Sequence, residues 1–323
     1  MEKFLKGNLG IDFDFHIHTI PGSRDSKQNV LEMLQTAKNA GITTVAITDH
    51  NNVSSLKEGI SLAKTMDMTL IPGVEMSVFL TNIDNGTAEG KCLNGEIVHI
   101  IGLGIKPDEN LYKELSADYR ARVKLWMKNI IQCAENHFKY KSKAENVWQL
   151  REELCTLNFS ASIKDAKELI QTFNDGAVEK LIPFNSAEAL EIIHKMGGIA
   201  ILAHPNRGEC HRHFSPNEVQ KIIEYFVPLG LDGLEIYHKH VVKEEDTFVL
   251  LNQLCQKYQL VKSLGGDRHA AYDAYGENYF EHREFLENLV QTHKEDFYAV
   301  KEQLLEKIDL IQRQQNLNHS NKL

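Results

Sequence analysis

Residues 11–19 read IDFDFHIHT. Successive side chains of a β-strand point to opposite faces, so the four apolar residues share one face. Asp12, Asp14, His16 and His18 share the other. The pattern predicts a strand with one apolar face and one face of carboxylates and imidazoles. An ordinary half-buried surface strand has the same alternation, and the residues that follow later strands decide between the two interpretations.

Later apolar segments are also predicted strands, and most of them lead to titratable side chains. These segments are 43–48 before His50, 69–71 before Glu75, 96–102 around His99, 199–203 before His204, 233–237, and 260–266 before Asp267 and His269. Predicted helices separate them, and alternating strands and helices are typical of a parallel α/β sheet or barrel. Carboxyl ends of parallel strands share one rim. About seven strands with a common metal site on that rim are therefore expected.

The middle and the end of the chain follow a different pattern. From about 110 to 185, long charged helices run on without a convincing strand. We interpret this segment as a helical insertion or lid within a barrel domain of residues 1–275. Residues 276–323 are predicted to form a charged helical tail that packs on the barrel or mediates self-association, and the oligomeric state is left open.

The composition of the chain limits the classes of molecule that the protein is expected to bind. The formal net charge of −9 disfavours a general nucleic-acid surface and long polyanions, whereas a local basic pocket remains able to bind a small phosphorylated substrate. The first residues lack the apolar core of a signal peptide, and no run is long and apolar enough to cross a bilayer. A cytoplasmic protein without a membrane partner is therefore expected.

The residues at the strand ends form one candidate set of metal ligands. Its members are His16, His18, Asp25, His50, Glu75, His99, His204, Asp267 and His269. Imidazoles and carboxylates without thiolates suit zinc, manganese or iron. Nine ligands are too many for one ion, so two or three divalent metal ions are expected.

The order and spacing of these motifs resemble the polymerase and histidinol phosphatase (PHP) family. The matching segments are Asp14-Phe-His-Ile-His-Thr19, Ile47-Thr-Asp-His-Asn51, Ile71-Pro-Gly-Val-Glu75, His99 in its strand, Leu202-Ala-His-Pro205, Gly233-Leu-Glu-Ile-Tyr237 and Gly265-Gly-Asp-Arg-His269. Each segment alone would be a weak signal. Together they cover about residues 10–271 and make the match specific.

The resemblance implies a fold and a ligand scheme. The fold would be a distorted seven-stranded β/α barrel with a trinuclear metal site. The first metal would be held by His16, His18 and Asp267, the second by His99 and His204 with Glu75 as the bridge, and the third by Asp25, His50 and His269. Asp12, Asp14 and Asp49 would orient imidazoles, or serve only as solubilising acids at strand edges.

The resemblance also implies a metal-dependent phosphoric ester hydrolase acting on a small phosphomonoester of the nucleotide, sugar phosphate or histidinol phosphate class. A metal-activated water would attack the phosphorus. Asp267 would handle the proton of that water, and His204 or His269 would protonate the leaving oxygen. Three arginines beside the motifs are candidate phosphate clamps, with an ordinary surface role as the alternative: Arg24, Arg207 and Arg268.

Two other functions stay open. Related domains edit DNA in bacterial replicative polymerases, so a DNA or RNA nuclease is possible, although the acidic net charge disfavours it. A non-catalytic metal-binding or regulatory module is the third hypothesis, and the apparently full ligand set argues against it. The sequence contains no Gly-Arg-Pro-His-like segment, which would have indicated specificity for nucleotides. For His213, His238 and His240, polar loops are the favoured interpretation.

Overall fold

The computed structural model describes residues 12–83, 93–162, 164–166, 168–170, 183–209, 212–270 and 294–320. Residues 276–293 of the predicted helical tail lie outside the described residues. Contacts divide the chain into two compact units, residues 1–112 with 184–323, and residues 113–183. The described helices are all too short or too polar to span a bilayer.

The first unit is built on one eight-stranded mixed sheet. Its strands are β1 (Phe13–Ile17), β2 (Thr44–Ile47), β3 (Thr69–Phe79), β4 (Ile97–Leu103), β5 (Phe184–Asn185), β6 (Ile199–Leu202), β7 (Gly233–Tyr237) and β8 (Val261–Leu264). The order across the sheet is β1-β2-β3-β4-β6-β7-β8, with β5 paired to β3. Strand β4 is antiparallel to β3 and β6, and the other pairs are parallel.

Helices alternate with these strands, as predicted. They are α1 (Val30–Asn39), α2 (Leu56–Thr65), α6 (Ser186–Lys195), α7 (Pro216–Phe226), α8 (Glu245–Tyr258) and α9 (Lys294–Ser320). Three of them begin with a capping box, in which the side chain before the helix and a Glu three residues later satisfy backbone N–H groups at its start: α1, α6 and α7. The chain therefore enters these helices at fixed positions beside the sheet.

The predicted α/β class is confirmed, but a closed barrel is not. No ladder of hydrogen bonds joins β1 to β8 among the described residues. Instead, the two ends of the sheet approach through a single parallel bridge between Ile17 and Arg268. The backbone N–H of His18 donates to the carbonyl of Arg268 at 2.8 Å, and the Arg268 N–H donates to the carbonyl of His16 at 3.2 Å.

Strand β3 is longer than the sequence suggested. The predicted strand stopped at Ile71, before Pro72 and Gly73. In the structure β3 continues to Phe79 because antiparallel β4 pairs with its whole second half. Gly73 permits this, since a Cβ there would lie 2.8 Å from a Thr48 methyl and 2.9 Å from the Gly102 carbonyl. Glu75 therefore lies within a strand rather than after one.

Helix α9 packs against β8, with Val300, Leu304 and Ile308 buried. Lys301 Nζ pairs with Asp12 Oδ2 at 2.7 Å. Replacing Leu304, which is fully buried, by Ala is expected to lower the free energy of unfolding by about 2–5 kcal/mol through the lost contacts and the cavity left behind. Urea denaturation measures this.

The matched control for that prediction is Leu310→Ala on the same helix. Leu310 is 52% exposed, so its truncation is expected to change stability by no more than about 0.5 kcal/mol. Equal losses at the two positions would contradict the packing described for α9.

In its described residues the second unit contains helices and the loops that join them, and no strand. Helix α3 (Glu109–Leu115) leads into α4 (Ala117–Phe138), which is followed by α5 (Val147–Thr156). Ser116 separates α3 from α4. The unit has a small core of its own, formed by Ile130, Ala134, Val147, Leu150, Leu154, Ala166 and Ile170.

Candidate metal centre

One fully buried carboxylate, Glu75, is the centre of the site. Five imidazoles surround it at 2.9–3.3 Å. Oε1 lies 3.3 Å from His16 Nε2, 3.2 Å from His99 Nδ1 and 3.3 Å from His204 Nε2; Oε2 lies 3.3 Å from His18 Nε2 and 2.9 Å from His50 Nδ1. These residues come from strands β1, β3 and β4 and from the loops after β1, β2 and β6, so the sheet brings distant parts of the sequence to one place.

The segment after β8 supplies Asp267 and His269, and the loop after β1 supplies Asp25. Asp267 Oδ1 lies 3.6 Å from His16 Nε2 and 3.3 Å from His18 Nε2. His269 Nε2 lies 3.0 Å from Asp25 Oδ2, which is 3.3 Å from His50 Nε2. The structure therefore brings all nine predicted ligands together, including Asp25.

The donor atoms fit divalent cations. Among the described residues, three groups have ligand atoms that all lie within 4.8 Å of one another: His16, His18, Glu75 and Asp267; Glu75, His99 and His204; and His18, His50 and His269. The Nε2 atoms of His16, His18 and His269 are buried and make no hydrogen bond of good geometry. Buried nitrogens that face carboxylate oxygens without a hydrogen bond are what a bound cation requires.

Electrostatics in the pocket depend on Glu75. Burial alone would raise the pKa of this carboxyl, but the surrounding imidazoles, His16 foremost, hold it well below its usual range. Burial would lower the pKa of His50, yet Glu75 and Asp25 outweigh it and raise that pKa to about 10. For His18 burial prevails and lowers the pKa to about 3, so this imidazole is neutral at physiological pH.

Four imidazoles turn Nδ1 away from the centre and Nε2 towards it. Each Nδ1 has an oxygen partner: Glu235 Oε1 at 2.9 Å for His16, Ser23 Oγ at 3.0 Å for His18, the Arg207 carbonyl at 3.4 Å for His204, and the Asp267 carbonyl at 3.1 Å for His269. Such partners fix the orientation of a metal-binding imidazole and increase its basicity.

Glu235 is a site residue to which the sequence analysis gave no role. It is fully buried on β7; its Oε1 contacts His16 Nδ1, and its Oε2 accepts the His204 N–H at 2.8 Å. A Cβ on Gly265 would lie 1.9 Å from Glu235 Oε1 and 2.4 Å from His16 Cβ, so glycine is required there. The signal that could have identified Glu235 is that it is a single carboxylate among the otherwise uncharged residues 233–237.

His238 was interpreted as part of a polar loop, but it is 1% exposed. Its ring lies 5.4 Å from that of His204, centroid to centroid. Its Nδ1 accepts the His240 N–H at 3.3 Å, and its Nε2 is buried without a hydrogen bond. His213 lies elsewhere, where its Nε2 is 2.8 Å from Glu244 Oε1.

The three candidate arginines lie in different environments. Arg24 is exposed, and Arg207 is partly buried with its guanidinium 3.9 Å from Glu244. Arg268 is 8% exposed, and its Nε donates to Asp14 Oδ2 at 3.2 Å. Arg268 therefore ties the segment after β8 to β1. Contact with a substrate phosphate stays a prediction for all three.

Metal binding at His50 is expected to release a proton. A metal ligand must be neutral, and His50, with a pKa of about 10, carries a proton at neutral pH in the metal-free protein. Metal affinity should therefore rise with pH up to about 10. Titration calorimetry in two buffers of different ionisation enthalpy measures the protons released.

The His50→Gln protein is expected to release fewer protons per cation bound than the wild type. His194→Gln is the control, since His194 pairs with Asp232 and belongs to no candidate ligand group. Equal release by the His50→Gln and wild-type proteins would contradict the prediction.

Two known proteins match most of the chain. The chain is 26% identical over 272 residues to a 5'-3' exoribonuclease of Haemophilus influenzae, covering 80% of this chain and 89% of the relative. It is 22% identical to the phosphoribosyl 1,2-cyclic phosphate 1,2-diphosphodiesterase of Eggerthella lenta, covering 80% and 94%.

A solved structure from Bifidobacterium adolescentis has the same fold, with a TM-score of 0.58, 18% identity, and coverage of 83% of this chain and 91% of that one. The proposed activity of that protein is that of a metal-dependent phosphoesterase. The PHP domain model matches residues 14–322. The chain therefore belongs to the PHP domain family of metal-dependent phosphoesterases.

Proposed function

We propose that the chain hydrolyses a small phosphomonoester at a centre of three divalent cations, zinc, manganese or iron. The observation that carries the proposal is the convergence of Glu75 and the eight other predicted ligands in one place. Bound cations lower the pKa of a shared water and neutralise phosphate oxygens. The residues described below then bind the substrate and transfer its protons.

Asp267 is the proposed proton acceptor. Its side chain is 25% exposed, so it is open to solvent and substrate, whereas Glu75 is enclosed. Burial would raise the pKa of the Asp267 carboxyl, but His18 and His16 hold it well below its usual range. The carboxylate is therefore ionised and able to take a proton from the attacking water.

Protonation of the leaving oxygen is proposed for His204 or His269. Burial would lower the pKa of each, but contacts with carboxylates raise both: Glu75 contributes most for His204, and Asp25 for His269. An imidazole that holds a cation through Nε2 and donates Nδ1–H to a carbonyl has no proton to transfer. The acid role would therefore fall to whichever of the two does not hold a cation through Nε2.

Arg24, Arg207 and Arg268 are the proposed phosphate ligands. Arg207 follows His204 on the same loop, and its carbonyl contacts that imidazole. Guanidinium groups at this place would hold phosphate oxygens in a bidentate manner while the phosphorus faces the centre. The net charge of −9 favours a small substrate over a long polyanion.

A phosphodiester substrate is the second candidate. The specific support is that the relative named as an exoribonuclease matches over 89% of its length, and the one named as a cyclic phosphate diesterase over 94%. The same centre would serve, because attack of water on phosphorus needs the same ligands for a diester as for a monoester.

A substrate panel tests the proposal. The metal-replete protein is incubated with nucleotides, sugar phosphates, histidinol phosphate, an aryl phosphate, a cyclic phosphate diester and end-labelled RNA and DNA oligonucleotides. Release of inorganic phosphate from the monoesters supports the first candidate, and shortened oligonucleotides or opened cyclic esters support the second. No turnover of any compound would leave the non-catalytic module as the surviving hypothesis, and activity that survives His16→Ala would place the chemistry outside the centre.

A further inference from the structure

The candidate ligands lie on both sides of the seam, which is the place where β1 meets residues 265–269 after β8. His16 and His18 lie in or directly after β1, whereas Asp267 and His269 follow β8. Two of the three groups of candidate ligands take members from both sides. The backbone joins the sides where the His18 N–H donates to the Arg268 carbonyl and the Arg268 N–H donates to the His16 carbonyl. A shift along this seam would therefore move the two sets of ligands relative to each other.

Asp14 is a buried side chain of β1 that contacts the other side of the seam. It is 3% exposed. Its Oδ1 accepts the His16 N–H of its own strand at 3.2 Å and the Gly266 N–H across the seam at 2.9 Å. Its Oδ2 accepts the Nε–H of Arg268 at 3.2 Å. Gly266 and Arg268 are the residues on either side of Asp267, so one buried carboxylate contacts both chain neighbours of this candidate metal ligand.

The backbone of Asp267 has a conformation that needs such contacts to hold it. Its φ is 47°, in the left-handed region that residues with a side chain rarely adopt. Residues in such regions persist where the surrounding structure fixes them, and they cluster at functional sites. Gly266 lets the carboxylate come close, since a Cβ there would lie 2.7 Å from Asp14 Oδ2 and 2.8 Å from Arg268 Cγ. Asp14 therefore fixes the chain on both sides of the left-handed residue.

We infer that Asp14 is a positioning residue, which holds the carboxylate of Asp267 in place beside the imidazoles on the other side of the seam. The sequence left two roles for Asp14, orienting imidazoles or serving as a solubilising acid at a strand edge. Its burial excludes the second role, and its contacts across the seam extend the first to a carboxylate ligand. The consequence for catalysis rests on the proposed function, because the placement of Asp267 matters there only when cations are bound.

Hydrogen exchange of the metal-free protein, measured by NMR at single amides, tests the inference without a cation. The N–H groups of His18 and Arg268 report on the seam because each donates across it. In Asp14→Ala both are expected to exchange at least about 10-fold faster, since the loss of a buried acceptor weakens the local structure. The N–H of Thr48, which donates to the Ile17 carbonyl on the other edge of β1, should keep its rate. Unchanged rates at the seam, or an equal increase at Thr48, would overturn the inference.

Asp14→Asn is the second variant, for the case in which Asp14→Ala does not fold. Asparagine keeps one oxygen for the His16 and Gly266 N–H groups and turns an NH₂ group to Arg268 Nε, so the guanidinium loses its acceptor. Exchange at the two seam amides is expected to be faster than in the wild type. Wild-type rates in Asp14→Asn, where it is the variant that folds, would equally overturn the inference.

Zinc titration supplies the second readout. Loss of an outer hydrogen-bond partner typically lowers metal affinity by about 10- to 100-fold, and a loss of this size is expected for Asp14→Ala. Lys301→Ala is the matched control, because Lys301 pairs with Asp12 just before β1 but belongs to α9 rather than to the seam. An equal loss of zinc affinity in Lys301→Ala would assign the effect to general loosening of β1 and overturn the inference.

The two readouts also separate this inference from the proposed function. Exchange rates and zinc affinity are measured without substrate, so an inactive wild-type protein whose variants show the expected changes would refute only the proposed function. Wild-type exchange rates and zinc affinity in an active Asp14→Ala protein would refute only the inference.

Discussion

The Glu75→Gln protein is expected to lose its bound cations and more than about 100-fold of its phosphoesterase activity. Outer hydrogen-bond partners of metal ligands already account for about 10- to 100-fold, and Glu75 contacts five imidazoles directly. Glutamine keeps the volume and removes the charge that two groups of candidate ligands share. Metal content by mass spectrometry and phosphate release measure the two losses.

A matched control tests whether these losses are specific to the metal centre or follow from changing any buried carboxylate. Glu218→Gln changes another buried carboxylate, one that caps α7 and pairs with Arg212 at 2.9 Å. That variant is expected to keep its metal and its activity, with some loss of stability. Full metal occupancy in the Glu75→Gln protein would refute the ligand scheme, whatever happens to the activity.

Glu235→Gln is expected to lower both metal affinity, by about 10- to 100-fold, and the free energy of unfolding, by about 1–3 kcal/mol. The carboxylate accepts from His16 Nδ1–H and from the His204 N–H, at 2.9 and 2.8 Å. Glutamine offers one oxygen and one NH₂ group, so one of the two buried donors loses its acceptor. Zinc titration and urea denaturation measure the two effects.

Asp232→Asn is the control for Glu235→Gln. Asp232 also accepts from an imidazole and a backbone N–H, namely His194 Nε2 at 2.8 Å and the Ala200 N–H at 2.9 Å. It immediately precedes β7, whereas Glu235 lies within that strand. The Asp232→Asn protein should lose stability and keep its metal affinity. A loss of affinity as large as that of Glu235→Gln would mean that β7 as a whole, rather than Glu235, supports the centre.

Much of the site was predictable because strand ends are easily recognised. His50, His204 and Asp267 each follow an apolar strand, and carboxyl ends of parallel strands share one edge. His99 reaches the same place for another reason. It is the third residue of β4, and because β4 is antiparallel, its beginning lies where the parallel strands end.

The direction of β4 could not be predicted from the sequence. Alternating strands and helices indicate parallel neighbours, and nothing in 96–102 distinguishes an antiparallel strand. For the same reason Glu75 is predicted to follow its strand rather than to lie within it. Strand β3 continues past Ile71 only because β4 pairs with its second half. Glu235 escaped notice because its partner, His16, is distant in the sequence. Ser23 escaped notice because it lies in a polar loop, where nothing in the sequence shows that it contacts His18.

The bridge between Ile17 and Arg268 has a consequence for how the protein is made. It joins the first and last strands of the sheet, and the groups around Glu75 come from both sides of it. A ribosome delivers His16 and His18 long before Asp267 and His269. The nascent chain therefore displays these two imidazoles before their partner Asp267 exists, and the proposed cations are loaded in full only after translation has passed β8.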